Sequence, residues 1–173
     1  MVLDFFVNNI WVVPMLPLWA FLIIIFGINI NIYESKKVTA TITCLSTFLG
    51  LIFSLFALVK CLNTPHFNYE YNYLWSVAEN IKLSVGYLLD NLSVMMLVLV
   101  TSVSLLIQIY SYEYMNKDDG YHRFFSYLNL FNFSMLGLVL SSNLFQMYIF
   151  WELVGVSSYL LIGFWFRRPS AAR

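Results

Sequence analysis

The residue most able to do chemistry is Glu152. It stands inside "MYIFWELVGVSSYLLIGFWF", Met147 to Phe166, a run otherwise apolar enough to cross a membrane. A span read as Asn143 to Phe166 makes it the tenth residue. At about 1.5 Å per residue that is roughly 14 Å along the axis, near the middle of a ~30 Å hydrocarbon core. Placing a carboxylate there costs at least ~2.5–3.5 kcal/mol. The group can stand as a neutral acid bonded to a neighbouring helix. It can pair with a cation, although the chain offers no other mid-span charge to name as partner. It can also alternate between the two states, taking up and releasing a proton, and this relay role is the favoured reading. Tyr148, Gly155, Val156 and Tyr159 share its helix face and are candidates to support it. Gly155 and Ser158 are small enough to admit another helix or water.

The elements that would hold such a residue follow from composition. The 173 residues are 61% hydrophobic and 10% charged, with mean hydropathy +0.76. A soluble domain carries about 25% charged residues, so that class is excluded. Phe5 to Tyr33, Val38 to Val59, Asn91 to Tyr112 and Phe124 to Trp151 contain no charge at all. The fold class expected is an all-α polytopic membrane protein, a single membrane domain over residues 1–173. The nine basic residues form no run of the kind that tracks nucleic acid. Cys44 and Cys61 lack metal-ligand or redox spacing and read as small apolar packing residues. No metal site is expected. The first basic residue is Lys36, so the first apolar run is a retained span rather than a secretory signal.

Five spans are expected: Ile10 to Ile30, Val38 to Leu62, Leu92 to Tyr112, Tyr121 to Leu140, and Asn143 to Phe166. Pro14 and Pro17 fall in the opening turns of the first. Asp90 is a candidate helix cap for the third. Arg167, Arg168 and Pro169 end the fifth. The short link "SSN" makes the fourth and fifth antiparallel neighbours. With this division seven of the nine basic residues fall on one side, and Lys60 and Lys82 on the other. The positive-inside rule then places the N-terminus, and the link between the second and third spans, outside.

That outer link, residues 63–87, carries a second pattern. Phe67, Tyr69, Tyr71, Tyr73, Trp75 and Val77 recur every second position, and alternation resumes at Ile81. Period two predicts strands, so a β-hairpin is expected outside the membrane. It serves either as an interfacial aromatic belt or as a dock for a neighbouring subunit. Within the spans, Thr43, Ser46, Thr47, Gly50 and Ser54 form one small-residue stripe, and Asn129 and Asn132 share a face. Such residues bring helices close and bond across them.

The segments "GYLLDNLSVMM", "IYSYEYM", "GYHRFFSYLNLF" and "FWELVGVSSYLLIGFW" resemble the antiporter-like subunit L, or subunit 5, of NADH:quinone oxidoreductase, respiratory complex I. The resemblance is close over about Gly86 to Arg173; the first 85 residues fit in layout alone. The ending "RRPSAAR" looks bacterial rather than mitochondrial, and plastid relatives are also similar. The resemblance implies a membrane-arm subunit that contributes to proton translocation coupled to quinone reduction. It implies no cofactor in this chain, since NADH, FMN, Fe–S clusters and quinone belong to other subunits, and no catalysis by this chain alone. The implied partners are other membrane subunits of the complex and the lipid bilayer, with no nucleic acid and no small-molecule substrate except protons. The implied location is a bacterial inner membrane, or else a thylakoid or mitochondrial inner membrane. Glu152 matches the glutamate that in the family couples to a lysine on the seventh helix. The chain ends where the family continues into a sixth helix, so a piece of a longer subunit is expected. The competing readings are a subunit of a multi-subunit cation/proton antiporter and a membrane anchor without transport activity.

Overall fold

A computed structural model describes residues 2–29, 36–64, 67–78 and 81–165. Six helices and one hairpin follow in chain order. They are α1 (Val2–Asn8), α2 (Val12–Asn29), α3 (Lys36–Asn63), β1 (Tyr69–Ala78), β2 (Ile81–Leu89), α4 (Asn91–Tyr114), α5 (Tyr121–Leu140) and α6 (Leu144–Ile162). A 3-10 turn, Gly163–Trp165, extends α6. The expected first span is corrected at its start: Asn9 to Trp11 form a turn that separates α1 from α2. Pro14 lies in the first turn of α2, where an amide proton is dispensable, and Pro17 follows inside the helix. The expected ends at Ile30 and Phe166, and the stop at Arg167, Arg168 and Pro169, lie outside the described residues.

Among the described residues, three helices are long and apolar enough to cross a membrane: α3, α4, and α6 with its 3-10 extension. The apolar part of α2, Val12–Gly27, is shorter. In α5, with 20 residues, His122, Arg123, Asn129 and Asn132 dilute the apolar character.

The helices pack as α2 on α5, α3 on α4, α2 on α3, and α5 between α4 and α6. Lipid tails are as apolar as leucine, so close packing and interhelical hydrogen bonds select the arrangement. The α3 stripe is buried as expected, from Thr43 through Ser54. It faces α5, where Asn129 Nδ2 donates to Thr43 Oγ1 at 3.0 Å and Asn132 Nδ2 donates to Thr47 Oγ1 at 3.3 Å. Ser104 of α4 donates to Asn132 Oδ1 at 3.1 Å, so three helices share one polar seam. Bonds of this kind average roughly 0.6 kcal/mol in membranes.

Apolar clusters close both ends of the seam. One joins Val7, Ile10 and Val13 to Leu89, Leu97, Leu136 and Leu140. The other joins Ala40 and Met115 to Tyr121, Phe125 and Phe164. The first end also holds the Lys60–Asp4 ion pair and the hairpin. The second holds Lys36, whose Nζ donates to the carbonyls of Asn116 and Asp118. The described basic residues Lys60 and Lys36 therefore lie at opposite ends of the bundle.

The hairpin is antiparallel, Tyr69 opposite Leu89 through Ala78 opposite Ile81, with an irregularity between Leu74 and Ser76. Its strands begin and end later than the expected 63–87. Tyr69 and Tyr71 both stack near Tyr87. Burial is the main influence on the Tyr87 phenol and pushes it up to about 12, so it remains a donor, to the Asn8 carbonyl at 3.3 Å. A two-stranded ribbon is marginal alone. This one rests on its own chain, while Tyr73, Leu74 and Trp75 stay exposed.

Candidate functional site

Glu152 is the ninth residue of the 19 in α6, about 12 Å from its start and close to mid-helix. The position along the helix matches the count made on the sequence. The surroundings differ from a carboxylate buried in a bundle, because Glu152 is exposed on the outer face of α6. The reason lies in packing. α6 leans on α5 and buries only Gln146 and Ser157.

The rotation of α6 has a specific origin. Gly137 of α5 leaves a notch that the Phe150 ring fills; a Cβ at that position would overlap the ring. Phe133 meets Phe150 edge to face at 5.6 Å. One further face position, Ser157, reaches Ser134 Oγ at 3.3 Å. A helix turns about 100° per residue, so Glu152 stands about 200° from Phe150 and looks away from α5. Tyr148, Gly155 and Tyr159 fall within about 60° of Glu152 on the same outward face. Tyr148 stands one turn before Glu152 on this face and is exposed beside it. Nothing within 4 Å would meet a Cβ on Gly155, so a neighbouring backbone can approach there. Tyr159 is 76% exposed. The expected grouping is thus brought together, facing outward. No ion pair to Glu152 forms among the described residues. The described basic residues lie at the two poles or on the hairpin.

Both ends of α6 are fastened. Asn143 caps the start, accepting from the Gln146 amide at 2.8 Å, and its Nδ2 donates to the Ser84 carbonyl. The Gln146 side chain pairs with Gly86 of β2 like an extra strand. Its Oε1 accepts from the Gly86 amide and its Nε2 donates to the Gly86 carbonyl, each at 2.9 Å. At the other end Phe164 is buried under the Arg123 guanidinium, 5.3 Å from its ring, and Trp165 Nε1 donates to Asp118 Oδ2 at 3.1 Å. Sequence reasoning missed Gln146, Phe150 and Gly137, and it counted Asn143 into the span rather than as its cap, although an Asn just before an apolar run is a cap signal.

Asp90 is a cap, as expected, and stands apart from this site. Its Oδ1 accepts from the Ser93 amide at 2.7 Å, and Ser93 Oγ accepts from the Asp90 amide at 2.8 Å. The backbone amide of Ser93 holds the Asp90 carboxyl below its ordinary range.

Similarities to known proteins agree with this geometry. Residues 75–125 match the family model for the N-terminus of chain 5 of NADH-ubiquinone oxidoreductase (complex I). Residues 141–173 match the transmembrane family of NADH:quinone oxidoreductase and Mrp antiporters. The chloroplast NAD(P)H-quinone oxidoreductase subunit 5 of Chara vulgaris is 47% identical over 171 residues, 97% of this chain and 26% of the relative. The same protein of Physcomitrium patens is 47% identical over 177 residues, 98% of this chain and 24% of the relative. That of Anthoceros angustus is 50% identical over 169 residues. The chain therefore spans about a quarter of the length of these relatives. In fold it is similar to a chain of the membrane-bound sulfane sulfur reductase, an archaeal respiratory membrane complex. The TM-score is 0.76 at 14% identity, over 95% of this chain and 32% of that one. The family-model matches and the relatives are those of an antiporter-like membrane subunit. The chain belongs to the complex I subunit 5, or subunit L, family.

Proposed function

We propose that this chain contributes to proton translocation in the membrane arm of an NAD(P)H:quinone oxidoreductase, with Glu152 as a proton-relay residue. The observation that carries the reading is the placement of Glu152. It stands at mid-helix on an exposed face, one turn from Tyr148, on a helix fastened at both ends. A carboxylate so placed needs a cation or water from a neighbouring element, and its proton affinity changes when that element moves. All five helices α2 to α6 cross the membrane, and the N-terminus and hairpin lie on the side opposite seven of the nine basic residues. The membrane is a thylakoid or a bacterial inner membrane; the similar relatives named are plastid proteins. Other membrane subunits of the complex are the partners. The chain carries no redox cofactor and does no electron transfer itself.

The test is Glu152→Gln in the full-length subunit, reconstituted with its complex in vesicles. Proton uptake per quinone reduced should fall several-fold while assembly and quinone reduction persist. Undiminished coupling in a fully assembled variant would overturn the proposal. The second reading, a subunit of a cation/proton antiporter, draws on the shared transmembrane family of residues 141–173. Purification of the intact protein separates them, since one reading yields NAD(P)H-oxidising subunits and the other does not.

A further inference from the structure

The seam between α3, α4 and α5 contains polar atoms that the packing does not satisfy. Gln108 of α4 is fully buried, and neither its Oε1 nor its Nε2 has a hydrogen-bond partner among the described residues. Asn129 of α5 is fully buried, and its Oδ1 is also unpartnered. These two residues stand at one level. Ser104 of α4 bonds Asn132 of α5, and the two helices run antiparallel. Gln108 is one turn beyond Ser104 on the same face, and Asn129 is one turn before Asn132 on the same face. The third wall at that level is Thr43 of α3, held by Asn129 Nδ2. The Thr43 hydroxyl already donates to the Thr39 carbonyl.

We propose that this seam is a water-binding site, in which ordered water bridges Gln108 and Asn129 beside Thr43. The ligand chemistry is set by the unpartnered atoms. An amide that can donate and accept, and an amide oxygen that accepts, suit a neutral molecule that does both. No described Asp, Glu, Lys or Arg belongs to the seam, so a bare ion would lack compensation. Buried polar groups without protein partners are held by water as a rule. The ring of Phe125, fully buried one turn before Asn129, closes the site toward the Lys36 pole. On the opposite side of α5, Ser134 faces α6 and Ser157. The water is therefore separated from Glu152 by the body of α5, and the site stands whether or not Glu152 relays protons.

The test is a cryo-electron microscopy map of the full-length subunit in its native membrane assembly, at a resolution that shows water. A density peak within hydrogen-bond distance of the Gln108 amide and Asn129 Oδ1 is expected. The peak should vanish in Gln108→Leu, a variant close in volume. Radiolytic labelling supplies a second readout, because side chains beside bound water are labelled even when buried. Phe125 labelling should drop several-fold in that variant. Direct bonding of Gln108 to Asn129 with no peak between them would overturn the proposal. So would an empty seam, or labelling unchanged by Gln108→Leu.

Discussion

The Phe150 ring of α6 occupies the space that a side chain at Gly137 of α5 would need. This one fit fixes the rotation of α6, and with it the direction in which Glu152 points. Gly137→Ala should push the helices apart or twist α6, at a cost of about 1–3 kcal/mol. Thermal unfolding of the purified full-length protein measures the loss. Adding Phe150→Leu should restore part of it, because the overlap needs both partners. An unchanged unfolding midpoint in Gly137→Ala would show that the notch does not constrain the helix.

Gln146 ties the hairpin to α6 through two bonds to Gly86. Gln146→Leu removes both and leaves the Gly86 amide and carbonyl without those partners, each worth about 1 kcal/mol. The ribbon's other ties are the Asn143–Ser84 and Ser142–Asn72 bonds, the Tyr87–Asn8 bond and the burial of Leu89. A two-stranded ribbon is marginal by itself, so losing two bonds should loosen it. Limited proteolysis from the hairpin side should cut between Tyr69 and Leu89 several-fold faster in the variant. Equal cutting rates would mean that these other ties hold the ribbon without Gln146.

Asp90 gives a pH-dependent contribution with a definite sign. Its carboxyl is held below the ordinary carboxylate value by the Ser93 amide. The stabilisation is fully present above the unfolded value of about 3.9 and is lost as pH falls through the lower folded value. Asp90→Ala should cost about 1 kcal/mol at neutral pH. Asp90→Asn keeps a good cap and should flatten the stability profile below about pH 4, where the parent loses this contribution. A profile identical to the parent's in Asp90→Asn would contradict the assignment.

What the sequence made legible divides along physical lines. Apolar runs, small-residue stripes and alternating aromatics are periodic, and period reports local geometry directly. The helices, the hairpin, the buried Thr43 to Ser54 face and the Asp90 cap could therefore be read from spacing alone. The depth of Glu152 follows from the same counting. Its exposure does not, because exposure depends on which elements lie beside α6. Nor does the Gly137 notch, since a lone glycine in a helix says nothing about whose ring enters it. The pairing of Gln146 with Gly86 joins residues 60 positions apart, and no local pattern announces it. The break after Asn8 was hidden because the turn at Asn9 to Trp11 lies inside one charge-free run.

Tyr148 offers a finer test of the Glu152 proposal than removal of the carboxylate itself. It stands one turn before the carboxylate on the same exposed face, within reach of a phenol–carboxylate hydrogen bond. A hydroxyl there stabilises the anion by donating to it and so favours release of the proton. Tyr148→Phe keeps the ring and the packing but withdraws that donor. In the full-length protein the variant should assemble normally and hold the Glu152 proton more tightly. Coupled proton translocation should fall by less than in Glu152→Gln, and its alkaline limb should move to higher pH. The carboxyl C=O stretch in infrared spectra follows the same titration without reference to transport. A structural role for Tyr148 would change assembly and leave the pH profile in place, whereas a positioning role shifts the profile in an assembled complex. If Tyr148→Phe leaves the profile and the infrared titration unmoved, the hydroxyl plays no part in the relay, and Glu152 must find its support on the neighbouring elements alone.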